Sequence, residues 1–461
     1  MKVSAIFDIG KTNKKFFLFD RHYREVHKEY IRFEEIADED GFPCDDLQAI
    51  VGWIKGKLEE AMANPDWDVE AVNFSTYGAS FVHLDRKGKP LTPLYNYLKP
   101  LPDETRQSFY DHYGAPGKVA LETASPTLGM LNSGLQLFWL KHSRSDIHRQ
   151  IHWSLHFPQY LSYVFTGIPV AEYTSVGCHT ALWNFAGEDY HDWVYHEELD
   201  KHLPPLISTD TQISMRHKGR PIKVGVGIHD SSSALLPYVI ADTKPFLLVS
   251  TGTWSIALNP FSTDSLTEAD LSNDCLHFMR INGRPTKAAR LFLGKEYSVQ
   301  LDNLLTHYGV EKGTEKDISF AADHYRELKL KGDHHFRFEH ISVPREQPSE
   351  NRWRSFSSFA EAYTQLMFEL TELQVEACRR AIGSSPINKI YIDGGFANNE
   401  LYVHMLAQSF PEAKIRTTQS PLGSALGAAV VMADRPIGKR FLKEHYGLKK
   451  IKPVVDNVNQ D

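Results

Sequence analysis

The sequence predicts an α/β fold made of two related halves, and three observations carry that prediction. Strand-like and helix-like apolar patterns alternate along the chain, as they do where helices pack on a sheet. The device that opens the chain, a strand, a polar turn containing glycine and a second strand, returns near residue 244. The length, 461 residues, exceeds what one ordinary core organises. The boundary is expected near residue 240, dividing a first domain, 1–240, from a second, 241–461.

The first strand is "KVSAIFDIG" and the second "KKFFLFD", with "KTNKK" beside Gly10 forming the turn. "DDLQAIVGWIKGKLEEAMAN" repeats its apolar residues at helical spacing, and "VEAVNFSTYGASFVHLD" reads as two strands broken at Tyr77 and Gly78. A loop-rich and helical middle follows. "GVGIHDSSSALLP", residues 225–237, runs from a glycine-spaced apolar strand into three serines that start a helix. The second half opens with "KPFLLVSTGTWSIALNP". In "SFAEAYTQLMFELTELQVEACRRAIG", Phe359, Tyr363, Leu366, Leu370 and Leu373 share a helical face and Gly383 supplies the stop. "INKIYIDGG" is a buried strand running into Gly394 and Gly395, and "NNELYVHMLAQSF" resumes as helix.

Apolar residues make up 42% of the chain and charged residues 24%, with a net charge of −7, which points to a soluble protein without a nucleic-acid or membrane partner. The apolar stretch in "MKVSAIFDIG" is too short for a signal sequence and is interrupted by Asp8, so a cytoplasmic protein is expected. Cys44, Cys178, Cys275 and Cys378 lie far apart and read as reduced, buried thiols. The 22 histidines show no metal-ligand spacing and are expected at the surface. The basic end "GKRFLKEHYGLKKIK" reads as a solvated amphipathic tail.

Two familiar phosphate motifs fail on inspection. Gly10-Lys11-Thr12 mimics the end of a P-loop, but Ala5 occupies the place of its first glycine and a strand follows instead of a helix. Gly225 and Gly227 begin like a dinucleotide fingerprint, yet Asp230 stands at the third glycine and would repel a pyrophosphate. A different device remains. The turns "DIGKTNKK" and "STGTWS" expose amides and hydroxyls that, facing each other across a cleft, could hold a triphosphate, while Asp8 could hold hydrated Mg²⁺. Asp230 begins a helix, where it is either an N-cap or a catalytic carboxylate; His229 either bonds a ligand or packs.

The ordered segments "FDIGKTNKK", "STYGASFVHLDRKG", "PQYLSYVFTGIPVAEYTS", "GIHDSSSALLP", "STGTWSIAL" and "YIDGGFANN" resemble the FGGY family of carbohydrate kinases, and within it the rhamnulokinase branch. The resemblance implies two ribonuclease-H-like, actin-like ATPase domains closing on ATP, Mg²⁺ and a small sugar, as a monomer or homodimer. It makes Asp8 the Mg²⁺ acid, and Gly10, Lys11, Thr12, Asn13, Lys14 and Lys15 the first phosphate loop. Thr251, Gly252 and Thr253 become the second phosphate loop, and Gly394, Gly395 and Asn399 the adenosine segment. Gly78, Glu172, His229 and Asp230 fall on the sugar side, with Asp230 as proton acceptor. The implied acceptor is a ketose or deoxyketose such as L-rhamnulose or L-fuculose; the rival of another class is an actin-like nucleotide sensor or scaffold without catalysis. The chain departs from the pattern at "LYNYLKPLPDETR", where an Asp-x-Arg pair is missing, and at Arg290, Gly294 and Gln300, where that branch carries an Asn before its Gly and Gln.

Overall fold

Strands β1 (Lys2–Ile9), β2 (Lys14–Asp20), β3 (Glu25–Ile31), β4 (Asp68–Thr76), β5 (Gln212–His217), β6 (Arg220–Gly225) and β7 (Ile228–His229) make the first sheet, in the order β5-β6-β4-β1-β2-β3 with β7 also on β4. The computed structural model describes residues 1–453 apart from 342, 344, 345, 420, 421, 435 and 436. A second sheet contains β8 (Leu247–Thr251), β9 (Ser255–Asn259), β10 (Cys275–Met279), β11 (Pro285–Leu291), β12 (Lys389–Gly394), β13 (Lys414–Thr417) and β14 (Lys449–Ile451), in the order β10-β11-β9-β8-β12-β13-β14. Each sheet has the same plan. Its first strand pairs antiparallel with the next, across the polar turn, and parallel with a later strand on its other side.

Burial on both faces explains why β1 reads as an apolar run rather than an alternation. Ala5, Phe7 and Ile9 pack toward Ile50, Ile54 and Leu58 of helix α1 (Leu47–Ala63), which Asp46 caps by accepting from Ala49 N. Ile6 points the other way, into a core that lies between the sheets. That core includes Leu235 of α2 (Asp230–Ala241), Leu248 of β8, and Ala425 and Leu426 of a later helix.

In the second half, α3 (Leu293–Tyr308), α4 (Phe359–Ile382), α5 (Glu400–Ser409) and α6 (Gly423–Val430) complete the layers that position the site. The predicted face of α4 is buried at all five positions and the helix stops at Gly383. Helix α6 comes from the far end of the chain yet packs on α2 and on β1 and β4 of the first sheet. The approach is so close that a Cβ on Gly427 would lie 1.8 Å from the Ser233 carbonyl oxygen, so only glycine fits. Ser233 Oγ donates to Ser424 O at 2.6 Å and Asn73 Nδ2 to Ala428 O at 2.8 Å, sewing the halves together.

Two expectations change here. The basic end is no free tail: Lys449–Ile451 pairs with β13, and Phe441, Leu442 and Tyr446 are buried, because their apolar side chains join the core between the sheets. Several histidines are interior rather than solvated. His156, for one, stacks on Phe81 at 4.0 Å, and burial pushes its pKa down to about 3, so it is a neutral core ring. All four cysteines are free and buried.

Candidate active site

A cleft of about 510 Å³ opens where the carboxyl ends of β1, β4 and β7 face those of β8 and β12. Strand register builds its floor. Asp8 lies level with Ser75, and Ser75 with Ile228, so α2 begins two residues beyond and about 10 Å across the sheet from β1. Asp230 is the first residue of that helix and His229 its N-cap, so the simple capping role for Asp230 fails. Its carboxylate accepts from Ser231 Oγ at 3.1 Å and keeps 33% of its side-chain surface open to the cleft. Burial, followed by the charge of Asp8, pushes its pKa up to about 7 against the opposing pull of Ser231 and Lys15. A carboxylate that titrates near neutrality is suited to receive a proton. Beside it, His229 Nε2 lies 3.1 Å from Asp230 Oδ1 and 3.1 Å from Cys178 Sγ. Burial and then Arg290 push His229 down to about 3, so the ring is neutral, and Gly78 lies against both it and Cys178.

The two polar turns line opposite walls. Each closes on itself: Gly10 N donates to Asn13 O at 3.0 Å and Gly252 N to Trp254 O at 2.8 Å, so these two amides are not ligand donors as expected. Lys11, Thr12, Asn13 and Thr253 line the cleft. Strand alternation separates the next two lysines. Lys14 turns into the core, where its Nζ lies 2.6 Å from Asp45 and 3.0 Å from Lys11 O, so it leaves the phosphate loop. Lys15 faces the cleft, 3.0 Å from Asp8 Oδ2, and the charge of Asp8 raises its pKa. Lys11 is drawn to Asp45 at 2.8 Å and Glu35 at 2.7 Å. Thr251 Oγ1 donates to Asp393 O at 2.5 Å and accepts from Phe396 N at 3.1 Å, so its hydroxyl is committed to joining β8 with β12. Gly394, at φ +88°, allows this junction: a Cβ there would sit 1.8 Å from Thr251 O.

The model of the N-terminal domain of the FGGY family of carbohydrate kinases matches residues 3–235, and that of the FGGY C-terminal domain residues 243–330. The chain belongs to the FGGY family. Its two sheets are therefore the two ribonuclease-H-like, actin-like domains of that family. A rhamnulokinase from Halalkalibacterium halodurans is 26% identical over 269 residues, 56% of this chain and 56% of the relative, so the match spans little more than half of that protein's length. Among solved structures, a carbohydrate kinase from Novosphingobium aromaticivorans superposes with a TM-score of 0.76 at 22% identity, covering 98% of this chain and 94% of the other. Plasmodium falciparum glycerol kinase with ADP superposes with a TM-score of 0.68 at 16% identity, covering 94% and 89%. At these identities the likeness concerns the fold.

Two further residues of the expected FGGY site lie off the cleft. Glu172 is fully buried; it accepts from Thr174 N and Ser175 N, each at 2.7 Å, and from Thr209 Oγ1 at 2.6 Å, so it pins a turn rather than touching the sugar side. Asn399 caps α5 by accepting from Tyr402 N, while its Nδ2 donates to Tyr363 OH at 2.8 Å. Gly395 does line the cleft. Sequence reasoning passed over Ser424, whose Oγ donates to Asp8 Oδ1 at 2.6 Å from across the chain, and Asp45, which holds Lys11, Lys14 and Tyr77 OH. Neither carries a local motif.

The carboxylates suit Mg²⁺. Among the described residues no three His, Cys, Asp or Glu side chains form a metal cage. Mg²⁺ bound with a nucleotide needs less, one or two carboxylates with water and phosphate oxygens completing its shell. Asp8, within electrostatic reach of Asp230, would supply that acid to a bound Mg²⁺.

Proposed function

We propose that this FGGY chain is an ATP-dependent carbohydrate kinase in which Asp230 is the general base. One observation carries this reading: Asp230, the first residue of its helix, opens onto the floor of a cleft whose two walls are polar strand turns. The acceptor hydroxyl oxygen bonds to the γ-phosphorus as the bond to the β–γ bridging oxygen breaks and ADP leaves, while the hydroxyl proton passes to Asp230. A loose, highly charged transition state asks chiefly for alignment and charge neutralisation. Lys15 and the turn around Thr12 and Asn13 face the phosphates from one side, and Thr253 from the other. Mg²⁺ held beside Asp8 would supply further neutralisation of phosphate charge.

Nucleotide binding is supported by the ADP of the glycerol kinase neighbour, and a ketose or deoxyketose acceptor, L-rhamnulose or L-fuculose first, by the rhamnulokinase relative. The division at residue 240, a cytoplasmic location, and a monomeric or homodimeric state belong to the same proposal. Coupled ADP release over a panel of pentuloses and hexuloses tests it. Asp230→Asn is expected to lower kcat by about 10² to 10⁴, the usual contribution of a general base. Near-full turnover in that variant would remove Asp230 from the chemistry.

A further inference from the structure

Two cleft residues stand outside the phosphate-transfer machinery, and both are held more firmly than packing demands. His179 has a left-handed backbone, φ +42°, a strained state for a residue with a side chain. Its carbonyl accepts from Asn132 Nδ2 at 2.8 Å, and its Nδ1 lies 2.8 Å from the Leu131 carbonyl oxygen. A carbonyl can only accept, so Nδ1 carries the proton and Nε2 is left as a lone pair. The ring packs at 6.0 Å on Phe278, whose ring also meets His229 at 5.4 Å, which places His179 on the Asp230 side of the cleft.

Arg290 is only 4% exposed yet lines the same cleft. Its Nε and Nη2 bond Asp274 at 3.2 and 2.7 Å, and its guanidinium lies 5.0 Å over the Trp254 ring. Asp274 is itself left-handed, φ +53°, and its carbonyl accepts from Arg290 N. This bracing fixes the fork and leaves Nη1 as the nitrogen that Asp274 does not engage. Because Asp274 already balances the charge, the arrangement suits a hydroxylated ligand better than an anion.

We propose that His179 Nε2 and Arg290 Nη1 form an acceptor–donor pair that reads the hydroxyl pattern of the sugar away from the hydroxyl that is phosphorylated. The proposal rests on the sugar-kinase reading above. A site built to hydrogen-bond a hydroxyl rejects analogues that lack it, since its own buried polar atoms are then left unpaired.

The test takes the pentulose or hexulose with the highest turnover and each of its mono-deoxy analogues, and measures kcat/KM for the wild type, His179→Phe and Arg290→Met. The wild type is expected to disfavour at least one analogue by about 10² or more. In each variant the parent sugar's KM should rise at least about tenfold, and the preference over that analogue should fall to within about threefold. ADP affinity by calorimetry reports folding. If His179→Phe does not bind ADP, His179→Asn carries the test, because asparagine tolerates the left-handed backbone; Arg290→Lys serves likewise. Unchanged sugar discrimination in folded variants overturns the pair. So does a rise in ATP KM alone for Arg290→Met, which would make Arg290 a prop for Trp254 and its turn. A wild-type protein with no acceptor-dependent ADP release overturns the kinase reading and this proposal with it.

Discussion

Asp230 combines two properties that a structural carboxylate lacks: it faces the cleft, and burial with Asp8 raises its pKa to about 7. The proton it receives in the proposed reaction needs the ionised form. The acid limb of kcat/KM is therefore expected to fall tenfold per unit below about pH 7, checked by a pH–rate profile. Stability runs the other way. The folded pKa lies above the ordinary 3.8, so the stabilising protonated form is fully present below about pH 4 and lost as pH rises through 7. Asp230→Asn should accordingly melt higher than wild type at pH 8, with the difference shrinking toward pH 4. Lys14 and Lys15, adjacent in sequence, should separate cleanly. Lys14→Met breaks a buried ion pair and should cost about 3 kcal/mol in denaturant unfolding, while Lys15→Ala should raise the ATP KM with little loss of stability.

At the scale of elements, the junction of β8 and β12 is an exacting place in the second half. Gly394→Ala puts a methyl 1.8 Å from the Thr251 carbonyl at φ +88°, so about 1 to 3 kcal/mol of strain and a raised ATP KM are expected from unfolding and kinetic measurements. Elements whose pattern is local were legible in the sequence. The turns at 10–13 and 252–254, the buried face of α4, the stop at Gly383 and the start of α2 all follow from periodicity and glycine placement. What escaped was set at a distance. Whether Lys14 or Lys15 faces the cleft depends on which side of β2 is covered by α1; the tie from Ser424 to Asp8 spans most of the chain; and Glu172 and Asn399 look like site residues because capping and ligand binding use the same polar groups. His179 becomes visible only once Leu131 is brought to it, and Arg290, marked in the sequence only as a departure from the family pattern, gains its setting once Asp274 and Trp254 lie beside it.

For the whole molecule, a ligand held between two sheets should stabilise both. ADP at about a hundred times its Kd is expected to add about 2.7 kcal/mol to the unfolding free energy, with a further increment when the sugar is added, read by thermal or chemical denaturation. No shift with ADP would mean that the folded chain does not bind it. Among the described residues no helix is long and apolar enough to cross a membrane. The helix that starts at Asp230 is wedged, through Gly427, against one supplied by the opposite end of the chain. The proposed proton acceptor is thus mounted on the rivet of the scissors, not on a blade. Any swing of the two sheets about that helix pair would leave the carboxylate where it stands.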